Sequence, residues 1–169
     1  MNRHSFLIAC GVAVVVGLAG TAPAQDRREC WNNTMSGAWG YTETGLVIAP
    51  VSTGGTTLVP VAVVGRYEFD RAGRFEGFQY GPPPAGGTGG YDTKEGTYEI
   101  RGDCTGTLTL TAYRDGVPQR NSVWWFVIVD RGQEMRAILT SMKLPDGTPV
   151  PFSPVITMTA RRMLSGPSW

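Results

Sequence analysis

Histidine is nearly missing from this chain: the single one is His4, close to the start. Charge is scarce too, at 17% of residues, and the two signs almost cancel, with 15 basic and 14 acidic side chains. Cysteine occurs only at Cys10, Cys30 and Cys104. After residue 24 no apolar run approaches the roughly 20 residues of a membrane-spanning helix, and no stretch keeps a helical period over a useful length. Each shortage excludes something. A neutral chain lacks the basic surface of an electrostatic nucleic-acid binder. With no imidazole beyond the first residues, a Ser-His-Asp or Cys-His nucleophile and any histidine metal site drop out. No metal, no cofactor and no transmembrane segment are expected.

What is present begins with a leader. Arg3 and His4 precede an apolar run from Phe6 to Ala19, and Ala22-Pro23-Ala24 supplies a small-x-small cleavage pattern. That is the tripartite form of a secretory signal, cut after Ala24. Leu7-Ile8-Ala9-Cys10 offers a lipoprotein box instead, but most of the apolar run follows Cys10, where such a signal should have ended. Cleavage removes Arg3, His4 and Cys10, so basic and acidic residues become equal in number and an even cysteine pair remains. A periplasmic or secreted protein lives in an oxidising compartment, where Cys30 and Cys104 are expected to form a disulfide. Closing a loop of about 75 residues stabilises the fold by roughly 4–5 kcal/mol in the chain-entropy account.

From Gly37 onward the chain repeats a β-rich run followed by a turn cluster. The runs cover 37–48, 59–70, 73–80, 94–101, 105–114, 120–130, 134–144 and 150–162. Asp and Gly mark the tight turns, as in Arg114-Asp115-Gly116 and Pro145-Asp146-Gly147. Two connections are longer, Ala49 to Leu58 and Gly81 to Tyr91, the second carrying Pro82-Pro83-Pro84. Alternation is clear where Val61, Val63, Tyr67 and Phe69 share one face and Arg66, Glu68 and Asp70 the other. The run from Val123 to Val129 is apolar on both faces, which suggests a covering tail or a partner surface.

These features predict an all-β protein, a single eight-stranded antiparallel up-and-down barrel, with a β-sandwich as the alternative. The organisation expected is a leader at 1–24, an N-terminal segment with Cys30 at 25–36, the barrel at 37–162 and a tail at 163–169. The longer and proline-bearing connections, including those with Pro118 and Pro145, collect at one end, as for an open mouth above a closed floor. Cys30 and Cys104 both fall at the floor.

Gly37-Ala38-Trp39 at the start of the first strand resembles the Gly-x-Trp motif of the lipocalins and wider calycin barrels. In that family the tryptophan plugs the floor and a late arginine packs over it. The resemblance therefore implies a calycin-like barrel with Trp39 under Arg161 or Arg162. The Tyr41-to-Gly45 stretch and the turn around Cys104 also resemble small secreted bacterial barrel proteins of unassigned function.

With Trp39 inward, strand parity sends Tyr41 and Glu43 inward as well. The apolar faces add Tyr67, Phe69, Phe75, Tyr98, Ile100, Leu108, Leu110 and Trp125. These side chains line a small-molecule pocket or fill the barrel. Glu43, with Tyr41, is the candidate catalytic group. An inward carboxylate would titrate high or pair with an arginine such as Arg136 or Arg66; otherwise it faces solvent at the mouth. The first functional reading is a binder of a small, largely apolar ligand. The alternatives are a cofactor-free cyclase or isomerase using Glu and Tyr groups, and an envelope protein-binding or inhibitor module.

Overall fold

A computed structural model describes residues 29–81 and 90–164. The expected leader, Cys10, the triple proline and the last residues of the tail lie outside the described residues. Eight strands follow one another: β1 (Gly37–Pro50), β2 (Thr56–Phe69), β3 (Arg74–Gly81), β4 (Gly90–Ile100), β5 (Thr105–Arg114), β6 (Val117–Val129), β7 (Glu134–Lys143) and β8 (Ser153–Arg162). Each pairs antiparallel with the next, and β8 returns to β1 from Trp39↔Arg162 to Ile48↔Ser153. The sheet is a closed up-and-down barrel without free edges, which disposes of the sandwich.

Several strand limits differ from those read in the sequence. β1 and β2 hold unbroken register from Gly37↔Phe69 to Pro50↔Thr56, so the expected ten-residue connection shrinks to 51–55. Gly54 and Gly55, at φ +86° and +93°, make that turn, and Thr56, Thr57 and Leu58 extend the strand beyond it. β4 begins at Gly90 rather than at 94, which brings Asp92 into the barrel wall.

Pro118 is a further correction. It lies inside β6, at a register shift where Tyr113 pairs with Pro118 after Ala112 pairs with Arg120. A bulge tolerates the missing proline N–H. The connection before it is a two-residue turn, Asp115 at φ 52° and Gly116 at φ 75°, the signs a type I′ hairpin needs.

The floor is closed from below. A short helix, α1 (Asn32–Met35), brings Met35 into the core, and the Trp39 indole donates to the Met35 carbonyl at 2.7 Å. The Arg162 guanidinium lies 5.0 Å from the Trp39 ring centre and donates to the carbonyls of Ser36, at 2.5 Å, and Thr34. One side chain thus covers an indole face and satisfies helix-end carbonyls together. Arg161 points away and pairs with Glu134 at 2.5 Å. The Cys30–Cys104 disulfide fastens the segment before α1 to the β4–β5 turn, with 4.9 Å between the Cα atoms.

Candidate functional site

The lumen has two unlike halves. Toward the floor, Trp39, Phe69, Phe75, Tyr98, Ile100, Leu108, Phe126, Ile128 and Met135 are buried against one another. Phe69 meets Phe75, Tyr98 and Tyr67 at ring separations of 5.3, 5.1 and 5.6 Å. The Tyr98 hydroxyl sits between the carbonyls of Asn32, at 2.9 Å, and Asp70. Toward the mouth, inward positions of β3, β4 and β6 turn polar: Gln79, Asp92, Lys94 and Ser122 are all buried. The inward positions of β2, β7 and β8 stay apolar there, with Val61 and Val63 of β2, Leu139 and Met142 of β7 and Ile156 of β8 packed on the core, while β1 between them adds the buried Glu43.

Glycines shape the polar wall. Gly65 lies between Tyr41 and Gln79 across the sheet, and a side chain there would overlap the Tyr41 ring. Gly77 lies between Tyr67 and Lys94, and a side chain there would overlap the Tyr67 ring. Lys94 reaches from β4 to β1 and β2. Its ammonium contacts Glu43 at 2.6 Å and the Tyr67 hydroxyl at 3.2 Å. It also sits 5.0 Å from the centre of the Tyr41 ring. Tyr41 and Tyr67 stack with 4.2 Å between ring centres and 11° between planes. The Tyr41 hydroxyl donates to the Phe78 carbonyl at 3.3 Å.

A second centre lies beside it. Asp92 accepts from Gln79 Nε2 at 2.8 Å, Arg114 Nε at 2.9 Å and Arg120 at 3.4 Å. Gln79 Oε1 has no hydrogen-bond partner among the described residues, although the side chain is buried. Such an acceptor costs about 1–3 kcal/mol if it stays unmet.

The electrostatics follow from this packing. Burial, reinforced by Glu43, pushes the Tyr41 phenol far above its ordinary range, and burial with Tyr41 beside it does the same to Tyr67. Both are therefore neutral hydroxyls, not phenolates. Burial pulls the Lys94 ammonium below its usual range, against the attraction of Glu43. Burial opposes ionisation of Asp92, yet the Gln79 hydrogen bond and the charges of Arg120 and Arg114 hold its carboxyl below the usual range.

The residues singled out from sequence divide accordingly. Tyr41, Glu43 and Tyr67 come together in the mouth half, whereas Phe69, Phe75, Tyr98 and Leu108 lie among the packed floor side chains, with Leu110 buried above them. Trp125 is a correction: it faces outward and is 59% exposed, while Trp124 points in and donates to Ser122 at 3.3 Å. In a run apolar on both faces, composition cannot say which tryptophan is inside. Trp125 instead helps line an outer groove of about 530 Å³ with Val127, Ile138, Arg101 and Arg136. Glu43 pairs with neither expected arginine, because Arg66 and Arg136 lie outside and bind Glu68 and Glu134. Lys94, Asp92, Gln79, Arg114 and Arg120 were missed. Parity carried the signal for two of them: Lys94 shares the face of Tyr98 and Ile100, and Gln79 that of Phe75, whereas Asp92 falls before the expected start of the fourth strand. The usual exposure of polar and charged side chains hid it.

The chain matches no protein-family model and no curated protein. Solved structures do resemble it in fold. EF1p2_mFAP2b bound to DFHBI superposes with a TM-score of 0.52 at 14% identity, covering 81% of this chain and 98% of that one. A redesigned β-barrel, mFAP1, bound to DFHBI, gives 0.44 at 16% identity over 78% and 97% of the two chains. At such identity the first likeness concerns the fold alone, and the second superposition is too loose to add to it.

Proposed function

We propose that this protein binds a small molecule in the mouth half of its barrel, with an apolar body and a polar head. The observation that carries this is the divided upper lumen. Val61, Leu139 and Ile156 offer apolar surface, and the buried polar side chains of β3, β4 and β6 include an acceptor with no partner among the described residues. Pockets that orient a ligand commonly combine a mainly apolar lining with a few placed polar groups. The ligand reading from sequence is thereby narrowed. Tyr41, Glu43 and Tyr67 border the proposed pocket, and the floor aromatics support it from below. The floor arrangement of Trp39 and Arg162 supports a calycin-like kinship, and the disulfide accords with the periplasmic or secreted location expected from the leader. EF1p2_mFAP2b is a barrel of similar fold described as bound to DFHBI, which supports the capacity of the fold to hold a small molecule.

Acid–base catalysis by Glu43 draws less support. Its carboxylate is committed to Lys94 at 2.6 Å, and the neighbouring phenols are held neutral.

Titration with the fluorescent probe 1-anilinonaphthalene-8-sulfonate tests the location. The outer groove beside Trp125 is the competing apolar site, so two variants separate them. Val61→Trp, which fills the mouth half, should abolish the blue-shifted emission, and Trp125→Ser should leave it intact. The reverse pattern would refute the lumen as the binding place.

A further inference from the structure

The unmatched Gln79 carbonyl says more about the ligand than that it has a polar end. Three donors converge on Asp92, and they differ in what they have left to give. Arg114 Nε takes Oδ1 at 2.9 Å, while Gln79 Nε2 and Arg120 share Oδ2 at 2.8 and 3.4 Å. The carboxylate's own acceptor capacity is thus engaged by the protein. It also fixes the Gln79 amide, since exchanging its oxygen and nitrogen would set Oε1 against a carboxylate oxygen. Oε1 must then face elsewhere, without a partner among the described residues. Arg120 gives Asp92 one of its five N–H donors, at the long end of hydrogen-bond distance.

We infer that Gln79 and Arg120, held on Asp92, form the head-group subsite, and that the head is a primary or secondary carboxamide, lactams included. This rests on the lumen reading above. The subsite offers one acceptor next to spare cationic donors, so its complement carries an N–H beside a carbonyl oxygen. Other heads meet only half of it. A carboxylate satisfies Arg120 but brings no donor to Gln79. An ester or a tertiary amide has the same defect without the charge. An amine satisfies Gln79 but is repelled by Arg120 and Arg114. A head with the wrong polarity leaves the buried acceptor unmet, and this discriminates more strongly than apolar fit does.

Four probes with one naphthalene body test it by calorimetry on the intact protein: 2-naphthamide, N,N-dimethyl-2-naphthamide, methyl 2-naphthoate and 2-naphthoate. The primary amide should bind about tenfold or more tightly than the other three. In Gln79→Met, with folding checked by near-ultraviolet circular dichroism, that preference should collapse to about twofold. Because the series is measured first on the unaltered protein, misfolding of the variant does not remove the test. If all four bind the unaltered protein alike, or 2-naphthoate binds best, the amide subsite is refuted while the lumen reading stands. If none binds, the lumen reading fails and this inference with it.

Discussion

Carrying an ammonium into a protein interior forfeits several kcal/mol of hydration, which attraction and hydrogen bonds must offset. Lys94 has both, in the Glu43 carboxylate at 2.6 Å and the Tyr67 hydroxyl at 3.2 Å. Removing only one member of such a pair strands the other. Lys94→Met should therefore destabilise the barrel by about 3–5 kcal/mol in urea unfolding with the disulfide intact. The double change Glu43→Leu with Lys94→Met should recover most of that loss. A single variant within about 1 kcal/mol of the parent would show that water reaches the pair. Tyr98 makes a separate prediction through pH. Burial, then the nearby Asp70 charge, pushes its phenol up to about 12 from 10.0. Between these values the unfolded chain has lost the proton and the folded one keeps it. Its stabilising effect is complete below about pH 10 and fades as pH rises toward 12. Tyr98→Phe should flatten part of that alkaline decline, measured as the unfolding midpoint against pH; an unchanged slope would contradict the assignment.

Among the strands, a row of like charges on the outer wall has a readable cost. Glu76 of β3 pairs directly with Glu68 of β2 and Glu95 of β4. Arg66 engages Glu68, and the Tyr113 hydroxyl engages Glu95. Opposed like charges destabilise a sheet, and an opposite charge between them stabilises it. Glu76→Lys should raise stability by about 1 kcal/mol in urea at low salt, shrinking as salt is added; lower stability would mean that the row has another role. At this scale the sequence was a good guide where period two was clean. Val61, Val63, Tyr67 and Phe69 point inward as their alternation requires. It was a poor guide where the pattern had no contrast, as at Trp124-Trp125, or where charge ran against it. Lys94 shares the face of Tyr98 and Ile100 like any core residue, yet its charge reads as surface, and Asp92 falls before the expected start of the strand.

The whole barrel hangs on its closure at one end and its chemistry at the other. Cys30 and Cys104 span 74 residues of sequence and tie the segment before α1 to the floor. Replacing both with serine should lower stability by roughly 4–5 kcal/mol in the chain-entropy account, read from urea unfolding of parent and variant. A loss near zero would mean that Trp39 and Arg162 hold the floor unaided. The end-to-end arrangement was legible in advance because consecutive hairpins alternate ends, so the cysteine positions and turn chemistry could be laid on one map. The division of the lumen was not, since it depends on which side chains cross from one strand to another. That division underlies the central claim, that a small molecule sits in the mouth half. Nuclear Overhauser contacts between 1-anilinonaphthalene-8-sulfonate and methyl-labelled protein measure this most directly. The expected contacts are to Val61, Leu139 and Ile156, with none to Ile138 or Val127; contacts confined to the last two would place the ligand on the outer wall and contradict the claim.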